Sequence, residues 1–195
     1  MIPGQMDEEF VLAIDPALST TGYAIINMNT LELAYINKFT TSPKNSDDFR
    51  INEIVAKLFS VAAQYPIKYI ILEDGYLGPN PRTCIQLATL RGAIIGTFSL
   101  CKYTVCHMLP SQIRKELGCG GQAKKDEVAQ AIINMYPNNK KLDIIGPYSD
   151  KQNKDKTSDI YDAISIGVAF IKNHRSVVNG NKSTTEQWLF YRIRL

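Results

Sequence analysis

Two short apolar runs along the chain each close on a single acid: residues 10–14 stop at Asp15, and residues 69–72 stop at Glu73. Unbroken hydrophobicity over four or five residues marks a strand buried on both faces, so each carboxylate is expected where a sheet ends and a site opens. The turn Pro16-Ala17-Leu18-Ser19-Thr20 leads into a second strand over 21–27, and Met28-Asn29-Thr30 turns into a third over 31–39. Together the three predict an antiparallel meander. Lys44-Asn45-Ser46-Asp47 then offers capping groups to a helix whose apolar positions, Ile51, Ile54, Val55, Leu58, Phe59 and Ala62, form one stripe that ends before Pro66.

The second half alternates helices with strands. Residues 74–82 are rich in turn formers and close on Asn80 as an N-cap, with Pro81 in the first helical position. The helix that follows, to about residue 102, carries Ala88, Gly92 and Gly96 at four-residue steps. Glycine weakens a helix interior, so this stripe predicts a close neighbour, either the sheet or a second copy of the chain. Residues 103–108 read as a fifth strand, Pro110-Ser111 opens a short helix through 117, and Gly118-Cys119-Gly120-Gly121 breaks it before a helix over 124–136. The polar stretch 137–157 reads as a mobile excursion. A last helix is expected over 158–173, with Asp159 and Asp162 on its first turn and Asp162 continued by Ile166 and Phe170 at i+4 steps, facing the sheet. Residues 175–195 form a basic tail bearing Trp188, Phe190 and Tyr191. No internal repeat or second domain emerges, so residues 1–195 read as one domain.

Composition changes this picture little. At 195 residues and 45% hydrophobic content the chain is large enough for a full core without disulfides. Residues 1–9 are polar and acidic, unlike a targeting segment, and no run reads as long and apolar enough to span a membrane. The expectation is a cytoplasmic protein with no membrane partner. The four cysteines, 84, 101, 106 and 119, lack C-x-x-C spacing and read as reduced thiols. A zinc site from Cys101, Cys106, His107 and Cys119 is disfavoured because Cys106 and His107 fall in a strand pattern.

Charge is more informative than its net value of +3. Residues 1–53 carry net −5, residues 54–171 net +4 and residues 172–195 net +4. The middle stretch is positive although it contains Glu73, Asp159 and Asp162. A cationic surface around an acidic centre suits a nucleic-acid backbone, and a solvated basic face gives the same count. Taken singly, Asp15 also fits an Asp-Pro turn, and Asp159 fits a helix-dipole acid. Taken together, four carboxylates in one small volume resist ionising unless a divalent metal lies between them.

Leu12-Ala13-Ile14-Asp15-Pro16, Thr21-Gly22-Tyr23-Ala24, Ile71-Leu72-Glu73, Leu90-Arg91-Gly92 and Asp159-Ile160-Tyr161-Asp162-Ala163 occur in an order and spacing that resembles the RuvC family of Holliday-junction resolvases. The resemblance runs from about residue 10 to 174. It implies a ribonuclease H-like α/β fold: a mixed five-stranded sheet, three strands in an antiparallel meander and two parallel, flanked by helices. It implies that Asp15, Glu73, Asp159 and Asp162 hold two magnesium ions, replaceable by manganese, and that a homodimer cuts branched DNA by paired symmetric nicks. Lys125, with Lys124 as a shifted alternative, and Arg114 fall at or near basic family positions, and Tyr76 falls where the family carries an aromatic that stacks on a base. Neither His107 nor His174 matches a family position. The chain departs from the bacterial pattern in Pro16-Ala17-Leu18-Ser19-Thr20-Thr21-Gly22, which lacks the usual glycine after the proline, and so looks like a bacteriophage-type or divergent member. Two rival readings are a junction-binding protein without cleavage and a phosphotransferase of the actin and sugar-kinase type, whose fold needs a second half.

Overall fold

Alternation along the strands decides which residues meet which layer. The structure is a computed structural model and describes residues 8–74, 78–145, 148 and 151–180. The strands are β1 (Phe10–Asp15), β2 (Thr20–Asn27), β3 (Leu33–Thr40), β4 (Ile67–Glu73) and β5 (Thr104–Met108). They form one sheet in the order β3-β2-β1-β4-β5, with β1 antiparallel to β2, β2 antiparallel to β3, and β4 parallel to both β1 and β5. This is the meander followed by parallel strands that the hydrophobic pattern predicted.

The two faces of the sheet bury different helices. Leu12, Ile14, Ile25, Ile70 and Leu72 face α1 (Asp47–Ala62) and α2 (Pro81–Leu100), meeting Ile54 and Leu58 of the first and Leu90, Ile94 and Phe98 of the second. Val11, Ala13, Ala24, Ile26 and Ile71 face α6 (Lys151–Val178). The helices α3 (Pro110–Glu116), α4 (Lys125–Met135) and α5 (Lys140–Ile145) join that second layer through Ile113, Ile132 and Leu142. Side chains as completely enclosed as Leu12 or Ile71 each contribute about 1.5–3 kcal/mol.

Helix ends follow local chemistry. Ser46 caps α1 by accepting from the Phe49 amide, and Asn80 caps α2 by accepting from Arg82 and Thr83, with Pro81 opening the helix. The turn after β1 is pinned on several sides: the Thr21 hydroxyl donates to the Ala17 carbonyl at 2.8 Å, while the Leu18 carbonyl accepts from Thr41 and from Arg50.

Three differences from the sequence reading bear on the site. First, α6 begins at Lys151, so Asp159 and Asp162 stand well inside a 28-residue helix and not on its first turn. Residues 151–156 are too polar to show a hydrophobic period, which hid this start. Second, the expected excursion over 137–157 holds α5, and Lys141 there pairs with Glu32 at 3.9 Å and donates to the Leu33 carbonyl. The basic tail likewise begins inside α6, where Arg175 donates to the Met28 and Asn29 carbonyls. Third, β3 starts at Leu33, because Leu31 adopts a left-handed φ of 65° within the β2–β3 turn.

The membrane reading also needs correction. Helix α2 is 20 residues long with a mean hydropathy of 1.2 over its most apolar window, long and apolar enough to span a bilayer, and only 22% of that window is buried. Its inner side nonetheless packs on the sheet through Leu90, Ile94 and Phe98, and the remainder is an apolar outer face.

Helix α6 rides on the sheet at two glycines. A Cβ on Gly22 would stand 2.0 Å from the backbone oxygen of Asp159, and one on Gly167 would stand 2.7 Å from Ile26 Cδ1 and 2.9 Å from Ala13 Cβ. We expect Gly22→Ala to lower stability by at least about 1–3 kcal/mol, the usual cost of overpacking, as read from urea unfolding. A midpoint equal to that of the native chain would show that α6 tolerates displacement.

Candidate active site

Asp15 and Glu73 end adjacent parallel strands, one step beyond the paired residues Ile14 and Leu72. Alternation sends both toward α6, the face shared by Ala13 and Ile71. Neighbouring strands lie roughly 4.8 Å apart, so the two carboxylates are held side by side. The close contact between Gly22 and the Asp159 backbone brings α6 down over the same strand ends, because Gly22 pairs directly with Asp15. Asp159 and Asp162 then follow one another by a turn on one side of that helix.

The electrostatics record this crowding. The Asp15 carboxyl is pushed up to about 8, first by burial, then by Asp162, Glu73 and Asp159, with Lys125 acting against them. Glu73 is raised by burial and by Asp162, and Lys125, Arg114 and Arg91 oppose the rise. Lys125, the first residue of α4, reaches Asp162 Oδ2 with its Nζ at 2.7 Å. Desolvation pulls its pKa down, yet Asp162, Asp15 and Glu73 outweigh that and raise it.

The other expected residues divide. Arg114 lines a cleft with Glu73, Lys125 and Asp162, and donates to the Gly121 carbonyl. Lys124 is the N-cap residue of α4, its amide donating to Glu127, and it is Lys125 whose ammonium meets the acids. Tyr76 lies outside the described residues. His107 is on the opposite face of the sheet, its Nδ1 3.0 Å from Arg91 Nη2, and His174 stacks on Phe170 beyond the far end of the strands. Burial is the main cause lowering the pKa of both histidines.

Two further groups were not anticipated. Lys38 on β3 sets its Nζ 3.2 Å from Asp159 Oδ2, across 121 residues of sequence. Arg91 of α2, mostly buried, pairs with Asp74, the residue directly after Glu73, at 3.2 Å. A lysine on a strand looks ordinary in sequence, and Arg91 stood out only as part of the Leu90-Arg91-Gly92 motif; the fold brings both to the acids.

The donor set suits a hard divalent cation: four carboxylates, no thiol, and one acid whose ionisation is opposed by its neighbours. Among the described residues no three His, Cys, Asp or Glu side chains stand together tightly enough to hold an ion as placed. Two of the four acids are instead turned onto lysines, Asp159 onto Lys38 and Asp162 onto Lys125. The cysteines are free thiols, and Cys106 is a core residue whose thiol burial pushes up to about 12.

Residues 11–170 match the family model for the crossover junction endodeoxyribonuclease RuvC. The chain belongs to the RuvC family. Its curated RuvC relatives include that of Helicobacter pylori (strain ATCC 700392 / 26695), 32% identical over 149 residues, covering 69% of this chain and 88% of the relative. The RuvC of Ehrlichia ruminantium (strain Gardel) is 25% identical over 166 residues, covering 83% and 95%. Among solved structures, Thermus thermophilus RuvC in complex with a Holliday junction substrate superposes with a TM-score of 0.69 at 18% identity, covering 86% of this chain and 95% of that one. The yeast mitochondrial Holliday junction resolvase Ydc2 gives 0.66 at 13%, covering 87% and 80%. With the sheet order described above, these likenesses give this RuvC-family chain the ribonuclease H-like fold.

Asp15 makes the carboxylate cluster sensitive to pH. Its pKa is raised on folding, so the native state holds a proton that the unfolded chain releases near pH 4, and stability falls as pH climbs from there to about 8. Without divalent cation, Asp15→Asn is therefore expected to melt higher than the native chain at pH 8, with the gap closing toward pH 4. Calorimetry at both pH values checks this, and equal melting temperatures at pH 8 would contradict it.

Proposed function

We propose that this protein is a structure-selective, magnesium-dependent endonuclease that resolves Holliday junctions and other branched DNA by paired symmetric nicks. The observation that carries the reading is the meeting of Asp15, Glu73, Asp159 and Asp162 at the ends of β1 and β4 under α6, in a chain of the RuvC family. The relatives are crossover junction endodeoxyribonucleases by name, and one solved neighbour holds a Holliday junction.

In this reading the four carboxylates hold two magnesium ions, for which manganese substitutes. When bound, such a pair supplies an activated water and stabilises the leaving oxygen of the phosphodiester. The protein's own part is to place and compensate. Asp15 and Glu73 are fixed by strand register, while α6 supplies the other two acids. Lys125 stands over the cleft where a scissile phosphate would lie and offsets charge that grows on it. Arg114 adds positive potential on the same side. Tyr76, close after Glu73 in the chain, stacks on a base where the junction opens. Neither histidine takes part. The protein acts on DNA in the cytoplasm, that of a bacterium or of a phage-infected host.

A junction presents equivalent strands in pairs, which a two-fold dimer matches with two equal sites. The outer face of α2 supports that assembly. Ile85 and Leu100 are exposed there, and added Cβ atoms on Gly92 and Gly96 meet nothing within 4 Å, which removes the sheet as the neighbour the glycines prepare for. A second copy of α2 fits a stripe that is apolar and low in relief.

A labelled four-way junction incubated with the protein and magnesium should yield matched nicks, and Asp15→Asn should reduce the rate about 1,000-fold or more while binding persists. Binding without scission by the native chain would leave a silent junction-binding module in its place. Gly92→Leu should sediment as a monomer and lose the pairing of nicks. An unchanged dimer would put the interface elsewhere.

A further inference from the structure

The acids of the site are flanked by cations on two sides, and only one side is accounted for by the proposal above. Lys125 and Arg114 approach from α3 and α4. Lys38 approaches from the opposite side, from β3, the outermost strand beyond β2 and β1. Along the paired register Asp15 faces Gly22, and Gly22 faces Lys38, so the three stand in one row across the sheet. Gly22 has no side chain, and the backbone of Asp159 fills the space above it, so Asp159 is seated between the two ends of that row.

Edge strands commonly carry lysines to deter pairing with other chains. Lys38 does something different, because its ammonium is directed over the sheet to Asp159. Both partners of that pair are 26% exposed. The pair is part-buried, with one side open to solvent. Its Nζ is held beside the acidic centre and is still reachable from solvent.

We infer that Lys38 is a DNA-phosphate contact of the cleavage site, gripping the backbone on the β3 side when a cation takes Asp159 from it. The strand to be cut then passes over the acids between two positive flanks, Lys38 on one side and Lys125 with Arg114 on the other. Lys38 serves as counterion to Asp159 before DNA arrives and as a backbone anchor afterwards. The inference rests on the nuclease reading and adds a residue that determines how the strand lies across the site.

The test is the salt dependence of binding to a labelled four-way junction in calcium, which occupies carboxylate sites with oxygen ligands as magnesium does. Each phosphate contact contributes about 0.9 to the slope of log affinity against log salt. Lys38→Gln, which keeps most of the side-chain length, should make the slope shallower by about that amount for each engaged protomer, and Lys38→Arg should restore it. A role confined to neutralising Asp159 predicts otherwise: calcium affinity and melting temperature would change while the slope stays native. An unchanged slope in Lys38→Gln, with native protein that binds and cuts, overturns the inference and leaves the nuclease reading standing. Native protein that fails to bind the junction at all overturns both.

Discussion

Everything in the site depends on how near α6 can come to the sheet. At Gly22 the helix backbone occupies the space a side chain would fill, and at Gly167 the helix lacks the side chain that would hold it away from Ala13 and Ile26. These two contacts set the height of α6 above β1 and β2. The acids of that helix are carried on short side chains, so an added methyl group at either point would lift them from Asp15. The packing of small residues in the core is therefore inseparable from the chemistry at the surface.

That proximity has an electrostatic cost, visible in Asp15, whose carboxyl resists ionisation up to about pH 8. The fold tolerates it by bringing cations from three directions: Lys125 and Arg114 from the α3 and α4 side, Arg91 from beneath through α2, and Lys38 from the edge strand. None of them removes the strain entirely. A bare site held at tension in this way favours whatever positive species can enter it, which is the usual compromise between stability and activity.

Much of the fold was legible because hydrophobic alternation is local. Apolar runs ending in Asp15 and Glu73, capping groups at Ser46 and Asn80, and the glycine break after 117 all announce themselves within a few residues. The start of α6 did not, since a polar helical turn carries no period. The glycine stripe on α2 signalled close approach but not by what, and the open space around Gly92 and Gly96 was needed to exclude the sheet. Lys38 escaped notice because its meaning depends on a partner 121 residues away and on two strand registers between. Among the acids, residue type and order pointed to one centre, and Lys125 was expected beside it, whereas the pairing of Lys38 with Asp159 appears only in three dimensions.

The wide separation of those acids along the polypeptide also bears on how such an enzyme is made. The first lies at residue 15 and the last at 162, on the final helix of the described chain. In chain order all five strands are synthesised before Asp159 and Asp162, so half of the carboxylates come last. In the nuclease reading proposed above, a chain cut short before α6 keeps its sheet-borne acids but has no second pair to complete the cage.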